Sequence, residues 1–173
     1  MQINSSEIDD DSDGYFISSL STEMFYKGYS LSPQKSELSL YVRLEREDTE
    51  QIGFRFDVDS SNQSLTTRLV PNEEEKKVHA KVWISRNGCV VLGPKEFQGV
   101  SRYDFIDSNA LTDVQYNSDN TLEFSFGQLD AVQGARGIAT HTAYSDLAVE
   151  IANWLSENSH DLEAPSQSPD EKD

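Results

Sequence analysis

The chain is short of cysteine, of basic residues and of long apolar runs, and each shortage excludes something. One cysteine, Cys89, among 173 residues allows no internal disulfide. A disulfide-stapled secreted scaffold is thereby excluded and a reducing compartment is expected. With that single thiol and three scattered histidines, His79, His141 and His160, no thiolate-rich zinc site can be assembled. No apolar run approaches the roughly 20 residues that a bilayer-spanning helix needs. The start, Met1-Gln2-Ile3-Asn4-Ser5-Ser6-Glu7, has neither a basic leader nor an apolar centre, so it does not read as a signal peptide. These absences predict a soluble, cytoplasmic protein.

Positive charge is the other scarcity. Fourteen Lys and Arg stand against 31 Asp and Glu, a formal net charge of −17. Such a field repels phosphate backbones and anionic lipid and attracts basic faces. The excess is spread along the chain. Residues 1–36 hold two bases against six acids, 37–156 eleven against nineteen, and 157–173 one against six. The middle is therefore acidic in its own right, which terminal tails cannot explain.

Residues 1–13 read as a disordered acidic leader and 159–173 as a disordered acidic tail, because neither composition can bury apolar surface. Between them, 14–158 read as a single α+β domain. The segment from Gly14 to Ser36 fits either a strand or a short helix. From Glu37 the period becomes two: Leu38, Leu40, Val42 and Leu44; Ile52, Phe54, Phe56 and Val58; Val78, Ala80, Val82 and Ile84; Leu122, Phe124 and Phe126. Each set alternates with polar neighbours as a half-buried strand does, and Ser64–Val70 is a weaker member. Glu45–Gln51 and Pro71–Lys76 read as charged loops, and Asn117–Asn120 as a hairpin connection. Arg86-Asn87-Gly88-Cys89 predicts a two-residue type I′ turn, which needs positive φ at both central positions.

Past the last strand the period becomes 3.6. Tyr144, Leu147, Ala148, Ile151, Trp154 and Leu155 form one apolar stripe, with Thr140 or Thr142 as N-cap and Asp146 near the positive end. The predicted fold is an antiparallel sheet or meander of about six to seven strands over residues 37–126. One amphipathic helix over about 142–157 closes it.

The candidate chemical sites are weak. Asp9-Asp10-Asp11-Ser12-Asp13-Gly14 opens like a calcium loop but has Leu20 where the bidentate acid belongs. Asp57–Asn62 lacks the glycine as well. Gly127–Gly137 has neither the Lys-Ser/Thr of a phosphate loop nor a dinucleotide fingerprint, and reads as a flexible connection. His141 stands beside Thr140 and Thr142 without an evident nucleophile. Cys89 falls on the Ile84 face as a buried structural thiol. Arg43, Arg55, Arg68 and Lys81 share the polar face of the sheet with Tyr41 and Trp83. That pattern suits single-stranded nucleic acid, but the net charge disfavours direct binding of it.

These features predict a small acidic, non-enzymatic binding protein: an inhibitor, immunity-type factor, adaptor or assembly chaperone docking on a basic protein surface, with no membrane partner. Glu73, Glu74 and Glu75, taken as an exposed loop, with Tyr41, Trp83 and Trp154, are the expected partner-binding residues. Two alternatives are a nucleic-acid-mimic inhibitor of a DNA- or RNA-binding protein, and an enzyme with a site near Gly127–His141. No catalytic residue, metal or cofactor is assigned.

Overall fold

The computed structural model describes residues 1–9, 14–34, 36–58, 64–104 and 119–163; the side chains of 55–58, 64–72, 104 and 119–136 are not described. The elements run β1 (Gln2–Ile8), α1 (Tyr15–Tyr26), β2 (Ser30–Ser32), β3 (Leu38–Val58), β4 (Ser64–Arg86), β5 (Cys89–Asp104), α2 (Asp119–Glu157) and α3 (Ser159–Glu163). One five-stranded sheet has the order β2-β1-β3-β4-β5. β1 pairs in parallel with both β2 and β3. The β3–β4 and β4–β5 connections are too short for a crossover, so those pairs are antiparallel. Two compact units divide the chain: Met1–Leu44 with Ala80–Phe97 and Ala148–Asp173, and Glu45–His79 with Gln98–Leu147.

In the first unit, a β–α–β crossover explains the parallel pairing. α1 buries Phe16, Leu20 and Met24, spaced four apart on one face. Its C-terminus closes through Gly28 N–H on the Phe25 carbonyl at 3.0 Å and Tyr29 N–H on the Met24 carbonyl at 2.9 Å. Those two bonds are the pattern of a Schellman stop, and they release the chain into β2. Leu38, Leu40 and Val42 of β3 and Ala80, Val82 and Ile84 of β4 are buried, as are Ile151, Ala152 and Leu155 of α2. Tyr29 is buried with them, its hydroxyl donating to the Leu155 carbonyl at 3.2 Å. Burial, and then the Glu163 carboxylate, raise the Tyr29 pKa above the usual phenol value. At the β4–β5 turn, Asn87 has φ 50° and Gly88 φ 86°, the positive pair that a type I′ turn requires.

In the second unit, α2 lies across β5 where Ala143 and Leu147 meet Gly99. A Cβ at that position would overlap the Ala143 carbonyl oxygen and stand 2.6 Å from the Leu147 nitrogen and 2.7 Å from Leu147 Cβ. Only glycine lets the two backbones approach so closely. Asp146 Oδ2 accepts the Val100 N–H at 2.9 Å, occupying a donor of this edge strand.

Several expectations are corrected here. The sheet is mixed and has five strands, not an antiparallel meander of six or seven. Residues 45–51 and 71–76 continue β3 and β4 instead of forming loops, because their charges pair between neighbouring strands. Residues 121–126 lie in α2, as does the Gly127–Gly137 run. Thr140 and Thr142 are therefore interior to the helix, where the Thr142 hydroxyl bonds back to the Ile138 carbonyl at 2.9 Å. Gln2–Ile8, expected to be disordered, form β1, and α3 occupies 159–163 with Leu162 buried. Cys89 is exposed, sitting immediately after the turn and beyond the packed core.

Candidate ligand-binding cleft

The second unit holds an unusual stretch of β4. Strand alternation places Glu74 and Lys76 on the parity that continues as Val78, and Glu75 and Lys77 on the opposite one. Both carboxylates are nonetheless buried, Glu74 being 3% and Glu75 6% exposed. Burying a carboxylate is costly unless partners replace its water. Each of the two has its own set of partners.

Glu74 accepts a short hydrogen bond from the Tyr103 hydroxyl of β5. Lys76 Nζ reaches Glu47 Oε2 of β3 at 2.6 Å, and the Tyr144 hydroxyl of α2 donates to Glu47 Oε1 at 2.6 Å. Thr49, Glu74, Lys76, Tyr103 and Thr140 line a cleft of about 310 Å³, contributed by β3, β4, β5 and α2. Gly99 and Asp146 hold α2 against β5, which brings Thr140 and Tyr144 to this cluster. The opening is at the small end of the range for ligand pockets. Its lining residues carry a carboxylate, an ammonium, a phenol and two aliphatic hydroxyls, the phenol bonded to the Glu74 carboxylate and the ammonium to Glu47.

The opposite face carries a ladder. Lys77 Nζ lies 3.0 Å from Glu50 Oε2 and 2.7 Å from Glu75 Oε1, and Arg102 Nε lies 2.6 Å from Glu75 Oε2. The hydrogen bonds from Lys77 and then Arg102 hold the Glu75 carboxyl below the usual carboxylate range. Those from Glu75 and Glu50 raise the Lys77 ammonium, and Glu75 raises the Arg102 guanidinium. Beyond the ladder, His79 Nε2 is buried 3.2 Å from Asp48 Oδ2 without hydrogen-bond alignment.

β3 changes parity on the way. Odd-numbered Tyr41 shares a face with odd-numbered Trp83, whereas even-numbered Asp48 and Glu50 share one with odd-numbered His79 and Lys77. An odd number of unmatched residues must intervene, as in a bulge, and every later side chain swaps face. Ile52 and Phe54 are consequently 37% and 57% exposed instead of half-buried.

Of the residues expected to form a partner surface, Glu73, Glu74 and Glu75 lie in the second unit and Tyr41, Trp83 and Trp154 in the first. Glu73, Glu74 and Glu75 belong to β4 and not to an exposed loop. Tyr41 and Trp83 stack on each other, with centroids 5.0 Å apart and planes 8° from parallel. Trp154 is buried against Phe97 at 5.2 Å, with Lys95 Nζ 5.8 Å from its ring centre. Glu47, Thr49, Lys76, Tyr103 and Tyr144 were not among the expected site residues, and Thr140 fell only within the Gly127–His141 segment of the enzyme alternative. Their one sequence signal is the parity of Val78–Ile84, which extends back through Lys76 to Glu74.

Among the described residues no group of three or more His, Cys, Asp and Glu could hold a metal ion. Residues 10–13 of the calcium-like run and 59–62 of the second one lie outside the described residues. Asp9 accepts the Leu44 N–H at 3.2 Å. His141 lies within α2 and His160 is exposed in α3. No described helix is long and apolar enough to cross a membrane.

No family model and no curated protein sequence matches the chain. Among solved structures, it is similar to a minor lipoprotein from Acinetobacter baumannii, with 12% identity, 91% of this chain and 92% of that one covered, and a TM-score of 0.48. The rare lipoprotein B from Shewanella oneidensis gives 10% identity, 95% and 100% coverage and a TM-score of 0.47. A putative lipoprotein from Caulobacter crescentus gives 14%, 89% and 90%, and 0.42. All are described as lipoproteins. This finding runs against the expected cytoplasmic location, the membrane-free partner set and the reading as an acidic inhibitor, adaptor or mimic with a basic partner. Those expectations are withdrawn. At such identities and TM-scores the likeness assigns no anchor, ligand or partner to this chain.

Proposed function

We propose that the chain is a binding module that holds a small polar ligand in the cleft of its second unit. The observation that carries this reading is Glu74, a carboxylate 3% exposed in the cleft wall. A buried ionic cluster is seldom more stabilising than apolar side chains of similar volume. β4 itself provides the comparison, since the same parity holds Val78, Ala80, Val82 and Ile84 further along. Stability alone would favour apolar residues at 74 and 76 too. Charged and hydroxyl-bearing groups converging on an open cleft are what recognition of a polar ligand requires.

The test is a panel of small cations, anions, zwitterions and polyols screened by thermal shift against the wild-type chain and Thr140→Trp, whose indole would fill the cleft. Ligand-dependent stabilisation of the wild type that disappears in the filled variant supports the reading. Stabilisation of both chains alike, or of neither, refutes it.

A further inference from the structure

We infer that the sheet face of the first unit carrying Tyr41 and Trp83 pairs with the same face of a second copy of this chain. The Asn87 N–H bonds the Glu37 carbonyl at 3.0 Å and Tyr41 stacks on Trp83, so β3 and β4 keep one antiparallel register from Glu37 to Tyr41. That register sets Ser39 opposite Ser85 and, one step on, Arg43 opposite Lys81. Val42 and Ala80 are buried in the core, so the parity change of β3 comes after Val42 and this pair keeps its face. The two-residue turn at Asn87-Gly88 sets Val90 of β5 beside Ser85 and Leu92 beside Trp83. β1 adds Asn4 beside Ser39 and Glu7 beside Tyr41. These side chains lie on the face opposite to buried Leu38, Leu40, Val82 and Ile84. Glu37 and Arg43 are exposed there, and Val90 is 55% exposed. None of Glu37, Arg43 and Lys81 has an ion-pair partner among the described residues. Like charges directly opposite each other, as in Arg43 and Lys81, cost stability within one chain.

The face is complementary to itself. A two-fold axis lying in the interface, across the strands between Ser39 and Tyr41, lays β3 on β3 in opposite directions, as in two sheets stacked about 10 Å apart. Each strand then meets groups that fit it. On β3, Arg43 faces Glu37 of the second copy, twice by symmetry, and Tyr41 lies over Ser39. On β4, Trp83 lies over Ser85 and Lys81 faces Asn87, large side chains over small ones as interdigitating sheets require. On β5, exposed Val90 meets Leu92, and on β1 the Asn4 carboxamide meets the Glu7 carboxylate. Tyr, Trp and Arg at the centre are the residue types that carry most binding energy in interfaces. The net charge of −17 repels at long range, but at about 0.15 M salt charges more than about 8 Å apart are screened and the facing rows decide. Four strands about 4.8 Å apart, each six residues of about 3.4 Å, present roughly 400 Å² of flat face, at the low end for specific pairing. The dimer is therefore a reversible one.

The experiment is sedimentation velocity of the full chain at about 0.15 M salt, over about 1 μM to 1 mM, the range of weak reversible association. A concentration-dependent shift from the 19.5 kDa monomer toward twice that mass is expected. Arg43→Glu sets a carboxylate against Glu37 of the second copy and should weaken the dimer at least about tenfold, the effect of a like-charge contact across an interface. Its thermal midpoint should hold or rise, because within the chain the new carboxylate faces Lys81. Glu37→Arg should weaken the dimer likewise. Arg43→Glu combined with Glu37→Arg restores the attraction in the opposite sense and should recover the dimer. Val90→Lys, which leaves the charge pair alone, should weaken it too. A monomer throughout the concentration range would overturn the inference. So would a dimer indifferent to the single charge reversals, or a double variant as weak as the singles.

Discussion

Replacing Gly99 by alanine tests the device that assembles the cleft. The added methyl would overlap the Ala143 carbonyl oxygen and sit 2.7 Å from Leu147 Cβ, against about 3.5–4.0 Å for carbons in ordinary contact. The overlapping oxygen and the 2.6 Å neighbour, the Leu147 nitrogen, belong to the helix backbone, so no rotamer change relieves the clash. α2 must retreat from β5 by roughly 1 Å, and overpacking of this kind costs about 1–3 kcal/mol. The retreat also stretches the Asp146–Val100 hydrogen bond, a carboxylate on an N–H, worth about 1.5–3 kcal/mol. Against these stands a gain of about 0.4–1 kcal/mol from a less flexible unfolded chain. The net expectation is a loss of about 2–5 kcal/mol, a large share of the 5–15 kcal/mol typical of a folded domain. Urea denaturation followed by far-UV circular dichroism measures it as a lower midpoint at unchanged slope. An unchanged or higher midpoint for Gly99→Ala would refute the close approach of helix and strand, and with it the placement of Thr140 and Tyr144.

Four further substitutions have defined outcomes. Gly88→Val forces a β-branched residue to φ near 86° and should cost about 1–3 kcal/mol in the same denaturation experiment. Ile151→Asp places a carboxylate at a fully buried core position, and loss of the cooperative thermal transition is expected. Because Lys77 and Arg102 hold the Glu75 pKa down, the ladder contributes stability above the ordinary carboxylate range that is lost as pH falls through the depressed value; Arg102→Gln should flatten that acid limb of a stability–pH profile. Because Glu75 and Glu50 raise the Lys77 pKa, a second contribution is present below the ordinary lysine range and lost as pH rises through the raised value, and Lys77→Met should remove this alkaline limb.

What could be read from the residues depended on how local the cause was. The Asn87-Gly88 turn and the apolar stripe from Leu147 to Leu155 are dictated by neighbours in sequence, and both are present. The parallel pairing of β1 was hidden because Gln2–Ile8 are mostly polar, and their ladder partners, Ser30–Ser32 and Ser39–Val42, are named by no local pattern. Glu45–Gln51 and Pro71–Lys76 look like loops because charge density usually marks solvent. Here the charges are satisfied by partners 27 to 29 residues away, Glu50 with Lys77 and Glu47 with Lys76. The cleft was missed for the same reason. Glu74 and Tyr103 are also 29 residues apart, and Thr140 comes from a helix held on β5 at Gly99 and Val100. Ile52 and Phe54 misled in the other direction, since their alternation is regular and only the parity change in β3 turns them outward.

The cleft lined by β3, β4, β5 and α2 is read as a ligand site, and two-dimensional NMR of the labelled chain, titrated with the small cations, anions, zwitterions and polyols of the thermal-shift panel, checks that reading residue by residue. Saturable shifts with at least one of these compounds, concentrated at the amides of Thr49, Glu74, Lys76, Tyr103 and Thr140 with the first unit unmoved, are expected. Shifts scattered over the exposed residues of both units, growing in proportion to ligand concentration without saturation, would contradict it.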